Sequence, residues 1–187
     1  MGTVESLMDS DVPEPAAGYA VASPIRTSTG LELSVAAAAP PDHDELYDAF
    51  AAVVVAGEGY PQAPGPLAVE DFDDYWLAHK SLVAVARHEV RLAGSYYLKA
   101  NFHGRAAHIA NAGYFVVPGL RGQGIGEALV RHSFAEARRL GFDAMQFNLV
   151  FESNPARRLY ERLGFQVVGR IPDAVDGEDA IVYWRRL

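Results

Sequence analysis

Cysteine is absent from the 187 residues. Neither a disulfide framework nor a thiolate metal site can therefore be built, and the main argument for a secreted protein goes with it. Long apolar runs are missing too. The longest, Ala49 to Ala56, falls well short of the ~18 consecutive apolar residues of a membrane span, so no membrane partner is expected. The stretch from Met1 to Pro15 is acidic and lacks the basic and apolar segments of a signal peptide, which points to a cytoplasmic location. Positive charge is scarce: Lys+Arg number 16 against 24 Asp+Glu, a net charge of −8. Phosphate-backbone binding needs a basic surface, so nucleic acid is not an expected partner. None of the six histidines has metal-site spacing, and no metal is expected.

What is present suffices for a core. Hydrophobic residues make up 50% and charged residues 21%, and the length fits a single domain. Residues 1–30 read as a leader, partly disordered or carrying an extra strand, and residues 31–187 as one folded unit. The charge is uneven: residues 1–120 carry 6 basic and 15 acidic side chains, whereas residues 121–170 carry 8 and 5. A basic block in an acidic chain fits a local anion site, or equally a helix with solvated arginines.

Alternating apolar and polar residues predict a strand at Leu31–Val35, and Pro40-Pro41-Asp42 opens a helix reaching Ala56. A breaker-rich loop follows, then a short acidic helix over Glu70–His79. Leu82–Ala86 and Leu92–Leu98 read as a hairpin, and His108–Val117 as a third strand ending at Pro118-Gly119. Gly124–Leu140 has helical spacing of apolar residues and a C-terminal Gly141. In Ala144–Val150, Met145, Phe147 and Leu149 should face one way and Gln146, Asn148 and Val150 the other. Asn154 is expected to cap a helix with Pro155 at its first position. Strands at Phe165–Val168 and Ala180–Trp184 complete a mixed α/β layout. The last is read as an edge open to pairing between chains, which leaves a homodimer open.

The most informative stretch runs from the end of the third strand into the helix at Gly124. Three glycines at alternate positions (Gly122, Gly124, Gly126) join a strand to a helix N-terminus, where free amide groups form an anion cradle. Glycine would let phosphate approach the backbone closely, and Arg121 adds a planar cationic fork. The spacing G-x-G-x-G differs from the dinucleotide fingerprint, and no Gly-Lys-Ser/Thr of a Walker loop is present.

Arg121-Gly122-Gln123-Gly124-Ile125-Gly126 resembles the R/Q-x-x-G-x-G/A signature of the GCN5-related N-acetyltransferases. The block Asn154-Pro155-Ala156-Arg157-Arg158-Leu159-Tyr160-Glu161-Arg162-Leu163-Gly164-Phe165 resembles the same family, as does the element order. The resemblance implies a mostly antiparallel twisted sheet of about seven strands with about four helices. It implies acetyl-CoA as co-substrate and no metal. Phe115, Val116 and Val117 would meet the pantetheine arm. Arg121, Gly122, Gln123, Gly124, Ile125, Gly126 and Glu127 would hold the diphosphate, with Asn154 and Arg157 contributing. Tyr160 would act as general acid toward the departing thiolate; its other reading is a core aromatic.

Asn111 and Asn148 stand inside apolar strands, where an unbonded amide costs ~1–3 kcal/mol and which Asn disfavours. The phrases His108–Gly113 and Phe147–Phe151 resemble the yeast L-azetidine-2-carboxylate N-acetyltransferases. By that resemblance Asn148 and Asn111 would orient the acceptor nitrogen and the acetyl carbonyl; otherwise they merely bond across strands. Tyr60 and Glu58 are acceptor-pocket candidates, with a surface turn as the alternative. Glu152 is the nearest carboxylate to serve as base, though it reads more simply as a solvated loop acid. The expected activity is acetyl transfer to a small-molecule amine, an amino acid or proline-like imino acid. A peptide acceptor and a non-catalytic acetyl-CoA-binding module are the alternatives.

Overall fold

The computed structural model describes residues 22–57 and 59–187. Eight strands form one sheet: β1 (Ser23–Arg26), β2 (Glu32–Ala37), β3 (Leu82–His88), β4 (Arg91–Ala100), β5 (Ile109–Val116), β6 (Ala144–Phe151), β7 (Gln166–Val175) and β8 (Glu178–Arg186). Their spatial order is β1-β2-β3-β4-β5-β6-β8-β7. Every pair is antiparallel except β5 with β6. The helices are α1 (His43–Val55), α2 (Val69–Phe72), α3 (Ile125–Arg139) and α4 (Arg157–Arg162). The mixed α/β architecture is the expected one, with eight strands where about seven were anticipated. The added strand is β1, inside the segment read as a leader.

Two apolar clusters sandwich the sheet. Under α3 and α4 lie Leu129, Phe134, Met145, Phe147 and Phe165. Under α1 and α2 lie Leu46, Phe50, Phe72, Trp76 and Phe115. Helix α3 forms because Ile125, Leu129, Phe134 and Ala137 share its buried face. Glu127 in its first turn and Arg138 and Arg139 in its last complement the helix dipole. It stops at Gly141, whose φ of +86° suits a left-handed cap; Phe142 N–H then closes back on the Ala137 carbonyl at 2.9 Å.

Several boundaries differ from the sequence reading for identifiable reasons. Pro40–Asp42 form a 3-10 turn ahead of α1. The acidic helix ends at Leu77 with a π turn over Asp73–Leu77. Within that turn Trp76 is fully buried and donates from Nε1 to Ser95 Oγ at 3.1 Å. In β6 the alternation breaks at a bulge between Phe147 and Val150. One extra residue there returns Val150 to the core beside Phe147. Asn154 does not cap α4. Its Oδ1 accepts from Ala156 N–H at 2.9 Å, a local turn that delays the helix to Arg157. The segment Ala180–Trp184 is not an edge: β8 is paired on both sides, by β6 and β7, and β7 is the outer strand.

Candidate active site

The parallel pairing of β5 and β6 lasts for two positions only, Ile109 with Ala144 and Ala110 with Met145. Beyond them the strands part. At the apex Asn111 Nδ2 donates to the Gln146 carbonyl at 2.9 Å. On its other edge β5 stays paired with β4 as far as Val116, and Val117 N–H bonds the Ala93 carbonyl at 3.0 Å. The two-residue period of an antiparallel ladder then turns the peptide groups of Phe115 toward β4 and those of Tyr114 and Val116 into the gap. Tyr60 Oη donates to the Tyr114 carbonyl at 2.6 Å, so Val116 presents the next peptide N–H to the opening. Of the expected pantetheine contacts, Val116 fits; Val117 spends its N–H on β4, and Phe115 contributes a buried ring.

The fork opens into a cavity of about 430 Å³. Tyr60, Asn111, Phe115, Val116, Arg121, Asn148, Asn154 and Tyr160 all line it. Sequence positions 60 to 160 are thereby brought around one space. Glu58 lies outside the described residues.

Tyr160 sits on Phe147 and Phe165, with ring centroids 4.7 and 5.8 Å away. Burial pushes its phenol well above the usual 10, with Tyr183 adding to the effect, so it is protonated at neutral pH. No described residue hydrogen-bonds its hydroxyl, which borders the cavity.

Between β5 and α3, Gly119, Gly122 and Gly124 take φ values of +91°, +78° and +76°. No atom lies within 4 Å of where a Cβ on Gly122 would sit, whereas one on Gly124 would stand 2.5 Å from Ser28 Oγ. The glycine at 124 thus admits the β1–β2 turn, a packing role the sequence did not reveal. Thr29 Oγ1 adds a 2.8 Å hydrogen bond to the Gln123 carbonyl, so this turn braces the loop. The first intrahelical bond runs from Ala128 N–H to the Gly124 carbonyl. The N–H groups of Ile125, Gly126 and Glu127 consequently have no helical acceptor. Ile125 is otherwise a core residue. Glu127 pairs with Arg131 at 2.8 Å and with Arg162 at 3.6 Å; its carboxylate would repel a diphosphate. Arg157 also falls outside the cavity lining: it donates to Tyr183 Oη at 3.1 Å and to the Glu152 carbonyl at 2.9 Å. Of the expected diphosphate set, Glu127 can thus offer its backbone N–H and not its carboxylate, and Arg157 is engaged by Tyr183 and the Glu152 carbonyl.

Asn148 is exposed on the cavity rim rather than buried in an apolar strand. It exchanges two hydrogen bonds with Asn101, at 3.1 and 2.6 Å, and accepts a third from Gln146 Nε2 at 2.9 Å. Tyr75, Tyr97 and Lys99 also face the cavity. Sequence reasoning did not single out these three residues, because Tyr97 and Lys99 come here only through the β4–β5 register, Tyr97 with Gly113 and Lys99 with Asn111. The glycine at 113 was the available signal: a Cβ would lie 2.6 Å from the Tyr97 ring.

Glu152 is bound by Arg170 at 2.6 Å, which removes it as a base. No described carboxylate lines the cavity. Among the described residues no His, Cys, Asp or Glu cluster could hold a metal ion, and no helix is long and apolar enough to cross a membrane.

Residues 44–165 match the model of the acetyltransferase (GNAT) family. The chain belongs to that family. The family is one of acetyltransferases. It is 45% identical over 84 residues to the N-acetyltransferase aca1 of Schizosaccharomyces pombe, a match covering 44% of this chain and 40% of that protein. A GCN5-related N-acetyltransferase from Kribbella flavida superposes with a TM-score of 0.75 and 32% identity, over 83% of this chain and 98% of that one. A phosphinothricin acetyltransferase from Sinorhizobium meliloti, solved with acetyl-CoA, shares the fold at a TM-score of 0.72 and 20% identity, over 83% and 88%. The forked strands, the open face at Gly122 and the cavity bordered by Tyr160 fit such a donor.

Proposed function

We propose that this acetyltransferase acts on the amine of a small molecule, an amino acid or a proline-like imino acid, by direct attack in a ternary complex. The fork between β5 and β6 carries the reading. It gathers a strand N–H, a protonated phenol and two amides around one cavity. The resemblance of residues 108–113 and 147–151 to the yeast azetidine-2-carboxylate enzymes favours the imino acid.

Acetyl-CoA supplies an activated thioester. The loop N–H groups from Gly122 to Glu127, with Arg121 at the cavity mouth, hold its diphosphate. Val116 N–H, which faces the gap, would bond the acetyl carbonyl and stabilise charge developing there. Asn111 and Asn148 orient the amine, and most of the rate comes from that alignment. Tyr160 holds a proton at Oη and would donate a hydrogen bond to the thioester sulfur. Its raised pKa makes complete proton transfer to a thiolate uphill, so its contribution is charge stabilisation as the bond breaks. With no described carboxylate in the cavity, the amine proton leaves through water.

Thiol release from acetyl-CoA, followed over a panel of amino acids, proline analogues, polyamines and peptides, tests this. Turnover should concentrate on the free amino and imino acids. Faster acetylation of an intact peptide would move the acceptor to the peptide class, and binding without transfer to any amine would make the chain a non-catalytic module.

A further inference from the structure

The sequence contains only two lysines, Lys80 and Lys99, and both reach the same aromatic ring. Lys80 Nζ lies 5.1 Å and Lys99 Nζ 6.0 Å from the centroid of Tyr97. Tyr97 and Lys99 line the cavity, on the face of β4 that also presents Asn111 across the β4–β5 pair. In a chain with 24 acidic residues, Lys99 lines this cavity and no described carboxylate does, while Lys80 stands outside the lining beside the Tyr97 ring. Lys99 makes no ion pair with a described residue. Lys80 donates to the Ala78 carbonyl at 2.6 Å and the Asp74 carbonyl at 3.4 Å.

Two neighbouring ammonium groups repel each other, and partial burial removes the water that would screen them. The ring face of Tyr97 offsets part of the cost. Burial, with Lys99 beside it, lowers the Lys80 ammonium to about 8, against the partial pull of Asp74. Lys99 lines the cavity without an ion pair to any described residue, so its ammonium is open to an incoming anion. A solvated strand-end lysine would not account for this, because Lys99 is half-buried and directed at the acceptor end among Tyr97, Asn111 and Asn148.

We propose that Lys99 is the specificity-determining residue of the acceptor subsite, reading a carboxylate carried next to the acceptor amine, with Lys80 reinforcing the positive field from across Tyr97. The inference rests on the transfer reading above and narrows it. A free amino or imino acid carries an α-carboxylate beside its amine. A peptide N-terminus, a polyamine and a lysine side chain within a peptide do not.

The test compares matched acid and amide acceptors, L-proline with L-prolinamide and L-azetidine-2-carboxylate with its carboxamide, with spermidine as a cationic amine. The amide's amine is the less basic and more often unprotonated, so chemistry alone favours it. Wild type should nevertheless show kcat/KM at least about tenfold higher for the acids, as expected for a hydrogen bond between charged groups. Lys99→Met should remove that preference through KM for the acids, leaving the amides and acetyl-CoA affinity unchanged, while Lys99→Arg retains most of it. Equal use of amides or spermidine by wild type overturns the inference and leaves acetyl transfer standing, as does a Lys99→Met loss shared alike by acids and amides. Absence of acetyl-CoA binding by calorimetry on the same preparation overturns the transfer reading as well.

Discussion

Asn111 donates from Nδ2 to the backbone carbonyl of Gln146 over 2.9 Å, across the apex at which β5 and β6 separate. Asn111 is 7% exposed, so Asn111→Leu leaves that carbonyl without its partner at a cost of about 1–3 kcal/mol. A lowered Tm should accompany lost turnover. Asn148→Ala should behave differently. Its amide is exposed and Asn101 can turn to water, so stability should stay within about 0.5 kcal/mol while KM for the acceptor rises. Thermal melts and steady-state kinetics on the two variants check the contrast.

Tyr160→Phe removes a hydroxyl that bonds no described residue, so the variant should fold as the parent does. The loss should be in kcat, by about a hundredfold, with acetyl-CoA affinity unchanged. Equal kcat in the two proteins would return Tyr160 to a packing role against Phe147 and Phe165.

The turn between β1 and β2 should matter to donor binding through the loop it braces. Gly124→Ala brings a methyl group against Ser28 Oγ and places a side chain at φ +76°, a conformation costing about 1–2 kcal/mol in L residues. Thr29→Val removes the 2.8 Å bond to Gln123 with little change in volume. Both should raise KM for acetyl-CoA more than KM for the acceptor, the first also lowering Tm.

Two histidines give stability opposite slopes on either side of pH 6.5. Burial lowers the His132 pKa, with Glu136 opposing in part, and its Nδ1 lies 2.8 Å from Tyr96 Oη. As pH falls below 6.5 the unfolded chain takes up a proton that the folded chain resists, so stability declines. His43 is raised by hydrogen bonds to Asp44 and Asp73. Its contribution is complete below 6.5 and is lost as pH climbs through the raised value; its side chain is one-third exposed and its partner Asp44 lies in solvent, so screening keeps it small. Tm measured against pH should show His132→Gln flattening the acid limb and His43→Gln flattening the alkaline one.

The sequence exposed what is local. Glycines in a short loop before an amphipathic segment mark a strand-loop-helix unit, and α3 lies where that pattern places it. Non-local relationships were hidden. The bulge in β6 that returns Val150 to the core depends on pairing with β8. The interior place of β8 depends on sheet order, which no period of two or 3.6 encodes. Lys99 and Tyr97 read as ordinary strand residues until the register sets them opposite Asn111 and Gly113. Asn154 did signal a turn, but its side chain closes on Ala156 and delays the helix to Arg157.

The account depends most on the loop from Gly122 to Glu127 holding the diphosphate of acetyl-CoA, and calorimetric titration of acetyl-CoA tests this directly. Wild type should bind saturably at one site. Gly122→Asp should weaken binding at least about tenfold while the protein stays folded with a modestly lowered Tm, because nothing beyond its chain neighbours lies within 4 Å of the added Cβ and Asp bears a left-handed backbone better than most L residues, while its carboxylate repels the diphosphate by at least the ~1.4 kcal/mol that tenfold represents. A folded wild type that gives no binding heat, or a Gly122→Asp variant that binds as tightly as wild type, would contradict the account.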